Sequence, residues 1–258
     1  MPRKKRANDF LKRRRDDCIL PLPSSQRKGI SMSLRKVLIT GASSGIGKAT
    51  TQLLLDKGHE IWGISRSIKS HHPYLHAHSI DLTDLDTLPE KLSPFFGVDT
   101  LICNAGKGYF GNLEELSFQE IRSLLDLNFL SHVYLIKQLL PHLKKKKQAD
   151  VIFIGSQAGL KGQRKGSIYC ASKFALRGFA QSLREECSTS NVRISIIQPG
   201  MVRTPFYENL NFQPGKYDSH AIAPEDIAQM ILTILNIRKE TILDEIILTP
   251  KQKVIQKN

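Results

Sequence analysis

Residues 36–47 read KVLITGASSGIG, and this stretch decides the fold class. Its first half is a short apolar run with β-branched residues, which is typical of a buried strand. The second half has glycines at 41, 45 and 47, and apolar residues then recur at helical spacing to Lys57. A strand, a glycine-rich turn and a helix in direct succession indicate the start of a βαβ unit.

The same alternation of short strands and helical segments continues along the chain. It predicts one α/β domain, a doubly wound seven-stranded parallel sheet (Rossmann) with helices on both faces. The predicted strands are Lys36–Thr40, Glu60–Ser65, Leu75–Ile80, Thr100–Cys103, Val151–Ile154, Arg193–Ile197 and Glu245–Leu248. The predicted helices are Gly47–Lys57, Thr83–Leu92, Phe118–Leu143, Ser167–Thr189 and Pro224–Ile237.

The glycine-rich turn predicts a site for a phosphate-bearing ligand. Glycine allows a tight turn and a close approach, and a helix N-terminus offers unpaired N–H groups with a partial positive charge. Between the first strand and the first helix, this arrangement favours a dinucleotide. The expected contacts in the turn are Gly41, Ser43, Ser44, Gly45, Ile46 and Gly47. A structural loop without a ligand is the alternative.

The end of the second predicted strand distinguishes two dinucleotides. An acidic residue there binds the ribose 2′-hydroxyl of NAD, whereas an arginine accommodates the 2′-phosphate of NADP. Ser65 stands where the acid would be, and Arg66 follows it. Since a guanidinium group pairs with phosphate through charge-assisted hydrogen bonds, we expect NADP. A solvated surface arginine is the alternative.

Tyr169, Lys173 and Ser156 are candidate catalytic residues. Tyr169 and Lys173 are four residues apart in a predicted helix and therefore share one face. A nearby ammonium group favours the phenolate and should bring the tyrosine pKa down from about 10. Ser156 follows a predicted strand, at the edge where α/β sheets present polar groups to ligands. Alone, the Tyr-x-x-x-Lys spacing is weak evidence, because it usually lies on a solvated helix.

Together, these motifs resemble the short-chain dehydrogenase/reductase family over residues 34 to about 250. The matching stretches, in family order and spacing, are Thr40-Gly41-x-x-x-Gly45-x-Gly47, Asn104-Ala105-Gly106, Asn128, Ser156, Tyr169-x-x-x-Lys173 and Pro199-Gly200-x-Val202-x-Thr204. Cys103 departs from the family's Asn-Asn-Ala-Gly at its first position, where we expect little consequence.

The resemblance implies an NADP(H)-dependent oxidoreductase that interconverts a carbonyl and a secondary alcohol by hydride transfer. Tyr169 would donate a proton to the carbonyl oxygen, and Ser156 would hydrogen-bond the same oxygen. Lys173 would lower the tyrosine pKa and hold the nicotinamide ribose, and Asn128 would anchor a water linked to Lys173. Other expected cofactor contacts are Asp81, Leu82, Asn104, Ala105, Gly106, Pro199, Gly200, Val202 and Thr204.

The expected substrate region is the loop 205–223, which contains four aromatic residues and little helical periodicity. A long loop beside a sheet edge is typically functional, so we interpret it as a substrate lid. Disorder without function is the alternative. The chain's ending and Arg66 resemble an NADP-dependent branch of the family that acts on 3-hydroxy acids. Candidate cations for the carboxylate are Arg203, Lys216 and Lys161, although each is more typical of a surface charge.

The charge is unevenly distributed. Ten Lys or Arg and three Asp in residues 1–31 supply half of the formal net charge of +14. We interpret residues 1–31 as a disordered basic extension and residues 32–258 as the folded domain. Nucleic acid or an acidic membrane surface is a partner only if this extension is functional, and an extension without a specific partner is the alternative. Its lack of an apolar core argues against a secretory signal.

The cysteines and histidines bear on the cellular compartment and on metal binding. Four scattered cysteines without a disulfide framework favour a reducing, cytoplasmic location. His71, His72, His76 and His78 cluster together, but no Cys or carboxylate completes a metal-ligand spacing, so we expect them to face solvent or cap a strand.

The family resemblance also implies a homodimer or homotetramer that packs through 118–143 and 167–189. The alternative function is a non-catalytic NADP-binding sensor or scaffold. Such proteins commonly lack the Tyr or Lys of the motif, and Tyr169 and Lys173 are both present here.

Overall fold

A seven-stranded parallel sheet runs through the part of the chain that the computed structural model describes, residues 34–257. Its strands are β1 (Lys36–Thr40), β2 (Glu60–Ser65), β3 (Leu75–Ser79), β4 (Thr100–Cys103), β5 (Ala149–Ile154), β6 (Val192–Pro199) and, after a short β7 (Phe212–Pro214), β8 (Glu245–Leu248). The spatial order is β3-β2-β1-β4-β5-β6-β8, which confirms the predicted doubly wound sheet. The strand order reverses between β1 and β4, and a ligand crevice is expected at such a point.

Helices cover both faces of the sheet. They are α1 (Gly45–Asp56), α2 (Phe118–Leu125), α3 (Ser131–Leu143), α4 (Ser167–Cys187) and α5 (Pro224–Asn236). The helices bury apolar residues on both sides of each strand, as β1 illustrates. Leu38 packs in the core beneath α3 and α4, while Val37 and Ile39 pack in the core beneath α1 and α5. Strands buried on both faces read as continuous apolar runs, as the sequence of β1 does.

The predicted helix Thr83–Leu92 is wrong. Two single-turn 3₁₀ helices, Leu88–Lys91 and Ser93–Phe95, lie there instead, each with a proline in its first turn. Proline has no N–H to donate and clashes with the preceding turn of a helix interior, so Pro89 and Pro94 restrict the segment to short turns. The apolar Leu88 and Leu92 of this segment are buried in the core all the same.

The predicted helix Phe118–Leu143 is interrupted. Ser117 and Glu120 form a capping box that starts α2 at the expected residue. A π-helical segment, Asp126–Leu130, then separates α2 from α3 and carries the fully buried Asn128. Single π turns within helices are frequent at functional sites, so this irregularity singles out Asn128.

A buried ionic cluster joins the beginnings of three strands. Asp150 of β5 accepts from Arg35 at 2.9 Å and from Arg193 of β6 at 2.7 Å, and all three side chains are almost inaccessible. Two guanidinium groups around one buried carboxylate compensate a charge that would otherwise be costly to bury. The cluster lies at the end of the sheet opposite to the carboxyl ends of the strands.

Two of the clustered histidines are not placed as expected. His76 and His78 are half-buried within β3, where His76 stacks on Trp62 and His78 meets the edge of Phe95. Across residues 34–257, no group of three or more His, Cys, Asp or Glu is arranged to hold a metal ion.

The helices in this range are all too short or too polar to span a bilayer. The predicted basic extension, residues 1–31, lies outside the described residues.

Candidate active site

A cleft of about 260 Å³ opens at the carboxyl ends of β1, β4, β5 and β6. Most of the residues selected from the sequence line it, namely Gly41, Ser44, Gly45, Ile46, Asn104, Ala105, Gly106, Ser156, Tyr169, Lys173, Pro199, Gly200, Val202 and Thr204. The other selected residues lie outside this lining, namely Ser43, Gly47, Arg66, Asp81, Leu82 and Asn128. The fold therefore brings the family motifs together, and their individual roles stay predictions.

The glycine turn between β1 and α1 forms one wall of the cleft. Gly41 and Gly45 have φ values of +68° and +50°, a conformation that side chains disfavour. Gly47 is needed for space, because a Cβ there would lie 2.1 Å from the Gly41 carbonyl oxygen. The missing side chain lets α1 pack against the turn. The N-cap Ser44 makes no side-chain capping bond, so the N-terminus of α1 keeps N–H groups for an anion, as a pyrophosphate requires.

Asn104 holds the turn against β4. Its side chain donates to the carbonyl of Thr40 at 2.9 Å, and the backbone N–H groups of Asn104 and Ala105 donate to the Thr40 hydroxyl at 2.9 and 3.0 Å. These bonds fix the ends of β1 and β4 side by side. Asn104 thus shapes the wall of the cleft where the strand order reverses, between β1 and β4.

Arg66, Asp81 and Leu82 lie at the ends of β2 and β3, away from the lining. Arg66 is exposed. Hydrogen bonds from Thr83 lower the pKa of Asp81, and the nearby Arg66 guanidinium adds to this effect. The Leu82 side chain is buried in the core, so only its backbone remains for a ligand.

Asn128 is held by protein groups. Its side-chain oxygen accepts from the Lys107 N–H at 2.9 Å, and its amide donates to the Lys107 carbonyl at 2.9 Å and to the Ser172 hydroxyl at 3.2 Å. A buried amide with such partners stabilises the segment after Gly106. The predicted role of Asn128 in anchoring a water stays a prediction.

Ser156 and Tyr169 meet in the cleft. The nearby Ser156 side chain favours the phenolate of Tyr169, but burial disfavours it more strongly. The pKa of Tyr169 therefore lies above its ordinary value. The expectation that Lys173 brings this pKa down toward neutral is wrong, because desolvation by burial is the largest effect on Tyr169.

Lys173 is only 4% exposed. Its Nζ lies 5.9 Å from the centre of the Tyr169 ring and donates to the Ile154 carbonyl at 3.1 Å. Burial lowers its pKa from 10.5 to about 8. Within residues 34–257, no carboxylate forms an ion pair with this ammonium group. Lys173 is thus a buried cation with an incomplete set of partners, as a ligand site requires.

Aromatic side chains form the outer part of the cleft. The ring of Phe110 lies 5.0 Å from that of Tyr169 and 5.0 Å from that of Phe212, between centroids. Phe206 lies 6.0 Å from Tyr169 on another side. Of these three, Phe110 was not selected from the sequence, because residues 107–117 carry no periodic pattern that would place it.

The C-terminal segment also reaches this cleft, which the sequence did not indicate. A ninth strand, β9 (Ile255–Lys257), pairs antiparallel with β7 of the loop 205–223. Lys253 and Ile255 therefore line the cleft beside Phe212. A three-residue strand among charged residues leaves too little pattern to be recognised.

The cations expected to recognise a carboxylate are elsewhere. Arg203 donates to the carbonyls of Gly215 and Tyr217 and so braces the loop. Neither Lys216 nor Lys161 lines the cleft. Among residues 34–257, those that line it include Lys107, Lys173 and Lys253 but no Asp or Glu, which favours neutral or anionic ligands.

Known proteins of similar sequence or fold include several oxidoreductases. The chain is 33% identical over 179 residues to 3-ketodihydrosphingosine reductase of Bacteroides thetaiotaomicron, covering 68% of this chain and 66% of that protein, just under two thirds of its length. It is 28% identical over 243 residues to the NADP-dependent 3-hydroxy acid dehydrogenase of Schizosaccharomyces pombe, covering 85% of this chain and 93% of that protein.

A solved alcohol dehydrogenase from Thermococcus sibiricus, in complex with 5-hydroxy-NADP, superposes with a TM-score of 0.76 at 26% identity, covering 86% of this chain and 99% of that one. Residues 35–214 match the sequence profile of the family described as short chain dehydrogenase. The chain therefore belongs to the short-chain dehydrogenase/reductase family.

Proposed function

We propose that this protein is an NADP(H)-dependent oxidoreductase that interconverts a carbonyl compound and a secondary alcohol. One observation carries the proposal: Ser156, Tyr169 and Lys173 line the same cleft as the glycine turn of β1 and α1. Proton-transfer groups beside a dinucleotide cradle are what hydride exchange at a carbonyl needs.

The chain's own residues fit the cofactor. The N-terminus of α1 would hold the pyrophosphate, and Lys173 would bind the nicotinamide ribose. The exposed Arg66 would pair with the 2′-phosphate, which is the basis for preferring NADP over NAD. When bound, the nicotinamide supplies or accepts the hydride.

Tyr169 serves as the acid and base in this proposal. Because burial raises its pKa, Tyr169 keeps its proton at neutral pH and can donate it to a carbonyl oxygen. Ser156, which lines the same cleft as Tyr169, would orient and stabilise the same oxygen. The phenolate left behind would lie near the Lys173 ammonium, which compensates part of the cost of a buried charge.

The cleft supports a substrate with an apolar body. Its outer wall consists of aromatic rings, and the loop 205–223, which we propose as the lid, contributes Phe206 and Phe212 to it. An acidic end, as in a 3-hydroxy acid, would find Lys253 at this wall and no carboxylate among the described lining residues to repel it. Lys253 thus replaces Arg203, Lys216 and Lys161 as the candidate for carboxylate recognition.

We also propose a homodimer or homotetramer in the cytoplasm. Phe118 at the start of α2 is 92% exposed and Phe174 on α4 is 42% exposed, and exposed aromatic side chains commonly lie in interfaces. Cys103, Cys170 and Cys187 are free thiols, as expected in a reducing compartment. Light scattering of the purified protein measures the assembly directly.

The test is a panel of ketones and secondary alcohols with NADPH, NADH and their oxidised forms, followed by nicotinamide absorbance. Tyr169→Phe should lower turnover by about 100-fold or more, the usual contribution of a general acid, while NADPH binding persists. Tyr74→Phe, at an exposed position, is the matched control. Full activity of Tyr169→Phe would reject the assigned role. NADPH binding without turnover of any substrate would favour the non-catalytic alternative.

A further inference from the structure

A series of hydrogen bonds connects the backbone of Ser156 to helix α4. The Ser156 N–H donates to Oε1 of Gln198 at 2.7 Å, and Nε2 of Gln198 donates to Glu245 at 2.9 Å. Glu245 accepts two further bonds from Arg177, at 2.8 and 2.9 Å. The series thus runs from the end of β5 through β6 and β8 to α4.

Gln198 is the central member and is fully buried. Its amide oxygen faces a donor and its amide nitrogen faces a carboxylate, so only one orientation of the amide satisfies both partners. Gly155 leaves space for it, since a Cβ at that position would lie 2.1 Å from the Gln198 oxygen. The strand ends are therefore shaped around this one side chain.

Arg177 connects the series to the catalytic helix. It follows Lys173 by four residues and Tyr169 by eight, so the three side chains lie along one side of α4. Ser156 is thus linked through Gln198, Glu245 and Arg177 to the helix that carries Tyr169, and both residues line the same cleft. This link restrains how far the backbone of Ser156 can move relative to α4.

The exposure of the outer members argues against a mainly stabilising role. The side chains of Arg177 and Glu245 are 32% and 22% exposed. Ion pairs with access to solvent contribute at most about 1 kcal/mol to stability. A paired arginine and carboxylate does fix geometry, because two parallel hydrogen bonds define both distance and orientation.

We propose that Gln198 is a positioning residue which, supported by Glu245 and Arg177, holds Ser156 at the correct distance from Tyr169. The inference rests on the proposed function, in which both hydroxyl groups must reach the same substrate oxygen. Misplacing a catalytic group by about 1 Å can cost on the order of 100-fold in rate. Loss of the amide should therefore affect turnover more than binding or stability.

The experiment compares Gln198→Met, Ser156→Ala and the double variant in the full-length protein. Methionine preserves length and volume but removes both hydrogen bonds. We expect Gln198→Met to lower kcat by about 10-fold or more, with unchanged KM and NADPH affinity. In the Ser156→Ala background the same substitution should have no further effect on kcat, because the positioned hydroxyl is already absent. Gln229→Met, at an exposed position of α5, is the matched control.

The conservative variant Gln198→Glu supplies a second measurement. Ionised, its carboxylate would repel Glu245; protonated, it would donate to Glu245 as the amide does. Its kcat should therefore recover relative to wild type as the pH falls.

The inference would be overturned if the kcat losses of the two single variants multiply in the double variant, or if Gln198→Met leaves kcat unchanged. If Ser156→Ala itself keeps full activity, the proposed function fails instead.

Discussion

Replacing Lys173 with methionine should abolish activity and yet stabilise the cofactor-free protein. The ammonium group is almost inaccessible, and its hydrogen bond to the Ile154 carbonyl compensates only part of its lost hydration. Burial lowers its pKa from 10.5 to about 8, which means that the fold disfavours the charged form. A methionine of similar length fills the space without that cost.

The magnitude follows from the two pKa values. At about 1.4 kcal/mol for each tenfold change in proton affinity, the buried charge costs about 3 kcal/mol at pH 7. Losing the bond to Ile154 costs about 1 kcal/mol. The net gain for Lys173→Met is then about 2 kcal/mol, which raises Tm by roughly 4 to 8 °C in a domain of this size.

The dependence on pH distinguishes this cause from better packing. Because the folded-state pKa of Lys173 is lowered, the unfolded chain holds more protons between pH 8 and 10.5, and stability gains from raising the pH across that window. Below pH 8 the full free-energy cost of burying the Lys173 charge is present. The Tm difference between Lys173→Met and wild type should therefore be largest near pH 7 and shrink toward pH 10.

The assay is differential scanning calorimetry without cofactor over this pH range. Lys137→Met, at an exposed position of α3, is the control and should leave the wild-type pH dependence intact. A variant that is less stable than wild type at every pH, or a Tm difference that does not change with pH, would refute the reasoning.

Three further predictions concern the cofactor, the substrate and the core. Arg66→Gln should weaken NADPH binding by about 10-fold in fluorescence titrations and leave NADH binding unchanged, because only NADPH carries the 2′-phosphate. Equal effects on both dinucleotides would exclude a contact between Arg66 and the 2′-phosphate. Lys253→Met should lower kcat/KM for 4-acetylbenzoate but not for its neutral methyl ester. The control Lys251→Met, at an exposed position outside the cleft lining, should change kcat/KM for neither substrate. An equal loss on both substrates would reject carboxylate recognition by Lys253. Asp150→Ala should destabilise the fold by about 3 to 5 kcal/mol and lower Tm by roughly 6 to 20 °C, since Arg35 and Arg193 would remain buried without their partner; an unchanged Tm would contradict this.

The strands and the glycine turn were predictable because their signals are local. A buried parallel strand is a short apolar run, and the positive φ values at Gly41 and Gly45 require a residue that tolerates them. The carboxyl ends of parallel strands share one edge of the sheet, which predicted the position of Ser156, whereas its meeting with Tyr169 was implied by the family resemblance. The doubly wound sheet and a ligand cleft at that edge could therefore be inferred before any side chain was placed.

Other features depend on contacts that the sequence does not reveal. In the sequence, the π-helical segment looks like part of a continuous helix in which Asn128 interrupts the apolar pattern. The pairing of β9 with β7 joins segments about 40 residues apart through three residues each, below the length of a recognisable pattern. Lys253 could thus be assigned to the cleft only once the C-terminal segment was placed.

Burial acts in opposite directions on the pKa values of Tyr169 and Lys173. From the sequence, the charge of Lys173 was expected to dominate; in the fold, burial raises the pKa of Tyr169 and lowers that of Lys173. In the proposed function, a phenol beside an ammonium group is the protonation state from which Tyr169 would donate a proton to a carbonyl oxygen. The same desolvation that disfavours the charged form of Lys173 favours the protonated form of Tyr169. The two opposite pKa shifts therefore have one physical cause, the burial of both side chains.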